Sequence, residues 1–219
     1  MRLAQSGFVI TFGITDEKRM WRVQTQDDEN AFAQIVARWE VPIQRLCVRL
    51  TGDVHQGQDI AQETFIRVFA KRRDYQAQSK FSTWLWRIAM NLCYDELRRR
   101  QRRLESSLEE TALEPGERLE TPATELAPDK SLAARERGEL VRRALMQLSE
   151  TYRAVLVLRH YEDLKFREIA DVLGIPEGTV KSRMAEALAQ MNRLLTADAR
   201  NDAVKRLRRY DQTREALML

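Results

Sequence analysis

The chain has 219 residues, a formal charge of +4 from 37 Lys and Arg against 33 Asp and Glu, and few glycines and prolines. It is long enough for one large domain or two small ones, and Leu, Ala, Arg and Glu without alternating apolar runs point to an all-α protein. Cys47 and Cys93 are isolated, and His55 and His160 are the only histidines. That excludes a zinc-ligand pattern, argues against a disulfide framework, and fits a reducing cytoplasm. No apolar run approaches bilayer length.

Residues 1–26 read as a poorly ordered leader. The short apolar stretch Phe8 to Ile14 lacks the flanks of a signal peptide, and Met20 is an alternative start to Met1. Residues 27–103 read as several helices. Phe32, Ile35, Val36 and Trp39 form one apolar stripe, which Ile43, Leu46, Cys47 and Leu50 continue beyond Pro42. Pro42 is expected to end or kink that helix. Thr51 to Gly57 reads as a polar turn. In DIAQETFIRVFAKRR, the residues Ile60, Ala61, Thr64, Phe65, Val68 and Phe69 share one face, while Asp59, Gln62, Glu63 and Arg67 lie on the other. By itself that polar face reads as solvated.

Residues 74–80 form a polar loop before a long helix, FSTWLWRIAMNLCYDELRRRQRR, with Ser82 as its expected cap. Leu85, Ile88, Ala89, Leu92 and Leu97 are core candidates. Phe81, Trp84 and Trp86 stand too close together to share one narrow stripe. Some could stack on an unpaired base, or the rings could simply close the end of a bundle. Arg98, Arg99, Arg100, Arg102 and Arg103 end the helix with a positive field suited to phosphate, or to a solvated helix end. Residues 104–131 follow as an acidic linker: between Leu104 and Lys130 lie three prolines and eight acidic residues against two basic ones. It is either a soluble tether or an acidic strand shaped for a channel that normally holds nucleic acid.

Residues 132–196 carry the second helical unit. Leu140, Val141, Ala144, Leu145 and Leu148 line its first helix. Ser149 caps the next, filled by Tyr152, Val155, Leu156 and Leu158. Then comes FREIADVLGIPEGTVKSRMAEALAQMNRLL. Ile169, Ala170 and Leu173 share a face, Gly174 ends that helix, and Pro176 stands at the start of the following one. Val180, Met184, Ala187, Leu188, Met191 and Leu195 repeat at three-and-four spacing. The spacing reads as a helix-turn-helix, with Ala170, Gly174 and Val180 as small residue, turn glycine and apolar plug. A plain helical hairpin would share the apolar repeat. The opposite face, Gly178, Ser182, Ala185, Glu186 and Ala189, is small enough for close approach to a major groove, and Lys181 and Arg183 flank it. Residues 197–219 form a basic tail with no readable role.

Taken together, the two halves resemble bacterial sigma factors of the extracytoplasmic-function group. DIAQETFIRVF with FSTWLWRIAMNLCYDELRRRQRR resembles sigma region 2, and LSETYRAVLVLRHYEDLKFREIADVLGIPEGTVKSRMAEAL resembles region 4. The resemblance implies two small helical domains joined by the linker, and three binding surfaces. Asp59, Gln62 and Glu63 match the helix that docks on core RNA polymerase. Phe81, Trp84, Trp86, Ile88, Asn91, Arg98, Arg99 and Arg100 match the surface that opens the minus-10 element, where residues 74–80 correspond to the specificity loop. Thr179, Lys181, Ser182, Arg183, Ala185 and Glu186 match the minus-35 surface. Ala185 and Glu186 depart from some relatives, which carry bulkier or basic residues there; a carboxylate cannot hold a phosphate but accepts from a cytosine amino group. Promoter DNA, core polymerase and an anti-sigma factor or other regulator are the implied partners, with no cofactor and no metal. The rival reading is a stand-alone helix-turn-helix regulator. An enzyme is disfavoured, since no Gly-rich phosphate loop or nucleophile motif is present.

Overall fold

The computed structural model describes residues 14–76, 80–110 and 132–216, with no side chains described at 104, 106–110, 132–136 and 198–216. Among the described residues there are eight α-helices, α1 (Asp16–Gln26), α2 (Glu29–Thr51), α3 (Val54–Ala70), α4 (Phe81–Glu110), α5 (Leu132–Gln147), α6 (Glu150–His160), α7 (Phe166–Leu173) and α8 (Glu177–Ala216), plus a 3-10 turn at Arg72–Asp74. This is the all-α architecture expected.

Polar side chains set the helix starts. Asp28 accepts from the Ala31 amide at 2.9 Å and Asp53 from Gln56 at 3.0 Å, each satisfying an N–H that the helix itself leaves open. Such caps contribute about 1 kcal/mol each. The turn between α2 and α3 is shorter than Thr51 to Gly57, because Gly52 takes a left-handed conformation at φ +76° and Asp53 starts the next helix at once. Gly57 therefore lies inside α3, where a Cβ would come within 2.5 Å of Val48 Cγ2 and 2.8 Å of the Val48 nitrogen. Its missing side chain lets α3 cross α2 closely.

Pro42 does not end α2, which continues to Thr51. A proline removes one backbone bond, about 3 kcal/mol of helix preference, and burial of Ile43, Leu46 and Leu50 beyond it, at about 1.5–3 kcal/mol each, outweighs that loss. The expected leader is also corrected from Asp16 onward. Residues 1–13 lie outside the described residues, but α1 is a capped helix with Met20 and Val23 fully buried against α2. A charged residue takes part in this packing: Asp16 is buried and receives the Trp39 indole N–H at 3.0 Å, with Arg19 and Arg38 alongside.

Helices α1 to α4 form one bundle around Ile35, Ile43, Leu46, Val68, Leu85 and Met90. Cys47 and Cys93 are free and buried in it. Their mutual hydrogen bond, then burial, hold the Cys93 thiol well above its ordinary range, so it stays protonated. Helices α5 to α8 form the second bundle around Leu145, Leu158, Ile169, Val180 and Ala187. The residues expected to line α6 are joined by Ala154 and Val157 and, against expectation for a charged group, by Arg153. Leu188 is 45% exposed rather than inward, since Ala187 and Met191 take the buried positions of α8. Helix α4 runs past Arg103 to Glu110, and residues 111–131 of the expected linker lie outside the described residues. The tail expected at 197–219 continues α8 as far as Ala216.

The two bundles pack together, α6 on α2 and α7 on α4. Among the described residues, polar and cation–π contacts hold the seam. The Arg153 guanidinium donates to the carbonyls of Leu145, Met146 and Leu148 in its own bundle and to Leu50 at the end of α2. Arg49 pairs with Glu162 at 3.2 Å and lies 4.2 Å over the Tyr161 ring. Lys80 pairs with Glu168 at 2.6 Å, and Arg87 donates to the Asp171 carbonyl.

Candidate nucleic-acid and polymerase interfaces

Three surfaces can be built from these helices. On α3, Asp59, Gln62 and Glu63 face outward, and Glu63 is tied to Arg67 at 2.8 Å. The same stripe ends in Ile66, an aliphatic side chain 63% exposed. Residues at i, i+3, i+4 and i+7 share one helix face, so spacing alone could have added Ile66 to the set. An exposed isoleucine beside carboxylate and amide groups suits a protein partner, where apolar area and polar pairing combine.

The second surface lies on α4 and the stretch before it. Here the expected set divides. Phe81 is fully buried and Trp86 is 3% exposed, so neither ring can reach a base in this arrangement. Phe81 packs on Tyr75, with ring centres 5.8 Å apart, and Trp86 meets Trp39 edge-on at 5.6 Å. Both are withdrawn from the DNA-contacting set. Trp84 and Ile88 are half-buried, and Asn91, Arg98, Arg99 and Arg100 are exposed. Trp84 leans on Tyr75 at 5.3 Å, which leaves part of its ring open. Asn91 and Arg98, seven residues apart, share one exposed face of α4, whereas Arg99 and Arg100 turn progressively away from it, and Arg99 is partly neutralised by Glu96 at 2.9 Å. Helix α4 starts without the Ser82 cap. Instead, the Glu17 carboxylate of α1 accepts from the Phe81 amide at 3.1 Å.

The third surface is the amino-terminal half of α8. Gly174, at φ +66°, turns α7 into it, and the Val180 amide closes on the Pro176 carbonyl at 3.1 Å. Val180 and Met184 are buried, which points Lys181, Ser182 and Ala185 outward with Thr179, Arg183 and Glu186 at the margins. Several of these groups are already engaged. Lys181 pairs with Glu177 at 2.7 Å, Ser182 donates to the Thr179 carbonyl at 3.0 Å, and Glu186 accepts from Gln190 and Arg193. Arg183 lies within electrostatic reach of Tyr94 on α4, whose phenol is pushed up to about 12, chiefly by burial.

Between α4 and α7 a cleft of about 650 Å³ is lined by Lys80, Thr83, Trp84, Arg87, Lys165, Arg167, Glu168 and Asp171. The start of α4 therefore faces α7, the first helix of the helix-turn-helix. Among the described residues no cluster of His, Cys, Asp and Glu could hold a metal. No helix among them is long and apolar enough to cross a membrane.

These features define a two-module, all-helical protein with a helix-turn-helix in its second module. Comparison with known proteins supplies the rest. Sigma-70 region 2 matches residues 35–103 and sigma-70 region 4 matches residues 138–191. The chain is 35% identical to the ECF RNA polymerase sigma factor SigW of Bacillus subtilis over 169 residues, covering 77% of this chain and 90% of that protein. It is 33% identical to the RNA polymerase sigma-H factor of Pseudomonas aeruginosa over 183 residues, covering 82% and 93%. In fold it is similar to CnrH, solved in complex with the cytosolic domain of CnrY, with TM-score 0.62, 24% identity, and 84% of this chain and 98% of that one covered. It is also similar to the sigma factor RpoE, solved with the anti-sigma factor NepR from Bartonella quintana, with TM-score 0.59, 23% identity, and 76% and 98% covered. The chain belongs to the sigma-70 family of RNA polymerase sigma factors, in the extracytoplasmic-function group.

Proposed function

We propose that the chain binds core RNA polymerase through α3, holds the opened minus-10 element on α4 and the stretch before it, and sets α8 into the major groove at the minus-35 element. The function is promoter recognition and transcription initiation. The observation that carries it is the presence of both sigma regions, in order, with α8 projecting small residues between flanking cations. Asp59, Gln62, Glu63 and Ile66 form the polymerase surface. Trp84, Ile88, Asn91, Arg98, Arg99 and Arg100 serve the minus-10 strand, and Thr179, Lys181, Ser182, Arg183, Ala185 and Glu186 the minus-35 duplex. A stand-alone regulator would leave the outer face of α3 and the whole first bundle without a role. Chemistry rests with the polymerase. The protein itself acts in the cytoplasm and is restrained there by an anti-sigma factor.

Physical terms divide the work. Base contacts in a groove discriminate by about 1–3 kcal/mol each. Stacking of an unpaired base contributes about 1–3 kcal/mol and helps offset strand opening. Phosphate contacts make the whole salt-sensitive. The closed seam also sets a requirement. The two elements lie about 25 base pairs apart, on the order of 85 Å at about 3.4 Å per pair. A protein with α7 packed on α4 cannot reach both, so promoter binding must separate the bundles. The 21 residues between Glu110 and Leu132 can span up to about 70 Å, which permits it.

Run-off transcription with core polymerase on a genomic promoter library tests the reading, and no redirected start sites would defeat it. Combining Arg99→Glu with Arg100→Glu should impair open-complex formation on a cognate promoter while core binding persists.

A further inference from the structure

Helix α1 lies outside the segment matched by sigma region 2, which begins at Ile35. Yet it grips both ends of the stretch that leads into α4. The Gln24 side-chain amide donates to the carbonyls of Arg72 at 2.6 Å and Tyr75 at 2.7 Å. Seven residues earlier on the same helix face, Glu17 accepts from the Phe81 amide at 3.1 Å. Asp27, just past the end of α1, pairs with Arg72 at 2.8 Å. The helix is itself held rigidly: Met20 and Val23 are buried without exposure, and buried Asp16 is bonded to Trp39.

Two groups seven residues apart on a helix stand about 10 Å apart along its axis. The six steps from Tyr75 to Phe81 could otherwise extend to about 20 Å. Helix α1 thus works as a ruler that limits where the two ends of this stretch can stand. Neither anchor is itself a core side chain: Gln24 and Glu17 are half-buried and bond main-chain atoms. Tyr75, fixed by its carbonyl, meets Phe81 edge-on at 5.8 Å and Trp84 at a tilt at 5.3 Å, so the same grip sets the tilt of the partly open Trp84 ring.

We propose that Glu17 and Gln24 are positioning residues for minus-10 selection: by clamping Arg72, Tyr75 and Phe81, α1 determines base preference without touching DNA. The inference rests on the assignment of this stretch to minus-10 readout. Free ends would sample many separations, and the Trp84 ring that Tyr75 and Phe81 hold would lose its fixed tilt. Glu17→Gln keeps an acceptor for the Phe81 amide, whereas Glu17→Met and Gln24→Met keep bulk and lose the bonds.

The experiment uses the full chain with core polymerase and a promoter series carrying each single substitution across the minus-10 element. Hydrogen exchange at the Phe81 amide reports whether the grip is broken, independently of transcription. Expected are faster exchange in Glu17→Met, near-native core binding, and discrimination between cognate and substituted promoters reduced about tenfold in Glu17→Met and Gln24→Met, as loss of one or two hydrogen bonds implies. Glu17→Gln should retain most of it. Folded Met variants with fast Phe81 exchange and an unchanged preference profile would overturn the positioning role alone. Wild-type protein that shows no minus-10 preference at all would overturn the underlying assignment and this inference with it.

Discussion

Breaking the Arg49–Glu162 pair should loosen the seam between the bundles by a measurable amount. Arg49 on α2 is 28% exposed and Glu162, in the turn after α6, is 9% exposed, at 3.2 Å. That is too buried for the 0.2–1 kcal/mol typical of surface pairs, and too open for the 3–5 kcal/mol lost when a fully buried pair is broken. Taking about 1–1.5 kcal/mol for the ion pair and about 0.5 kcal/mol for the guanidinium over Tyr161 gives roughly 1.5–2 kcal/mol. Arg49→Ala should then shift the closed-to-separated ratio by about tenfold to thirtyfold. Dyes on His55→Cys in α3 and Asn192→Cys in α8, both exposed, would report the distance, since native Cys47 and Cys93 are buried. Burial already raises the Glu162 carboxyl above its ordinary value, against the opposing pull of Arg49 and Arg45. A raised carboxyl contributes stability that is present at low pH and lost as pH rises through the raised value. Removing Arg49 raises it further, so the penalty should be smaller near about pH 5 than near about pH 8. Equal penalties at both, or a double-mutant cycle with Glu162→Gln showing no coupling, would refute the reasoning.

Arg153→Lys should behave as a loss, not a conservative change, because an ammonium cannot reach the four carbonyls that the guanidinium fork serves. Urea unfolding should show about 2–4 kcal/mol lost, with Arg153→Lys close to Arg153→Met; native-like stability in the lysine variant would disprove this. Gly57→Ala should cost about 1–3 kcal/mol or more, since its Cβ would press on the Val48 backbone; an unchanged melting temperature would mean that α2 and α3 separate freely.

Much of the fold was written locally. Helices α5 to α8, the Gly174 turn and the buried Val180 and Met184 follow from three-and-four spacing and one left-handed glycine, both properties of a short stretch of chain. The α3 polar face and the exposed arginines of α4 were legible for the same reason. Spacing could not decide which of Phe81, Trp84 and Trp86 faces inward. That depended on Tyr75 and Trp39, which arrive from other elements and cover two of the three rings. Helix α1 was missed because its apolar content is low and its buried Asp16 reads as surface, until Arg19, Arg38 and Trp39 converge on it. Arg153 escaped notice in the same way: a guanidinium is expected outside unless several carbonyls meet it inside. Periodicity records which side of a helix is dry, and so it gave the elements, their order and their chemistry. What covers each side, and whether a buried charge is satisfied, is decided by residues distant in sequence, and those relations exist only once the chain has folded.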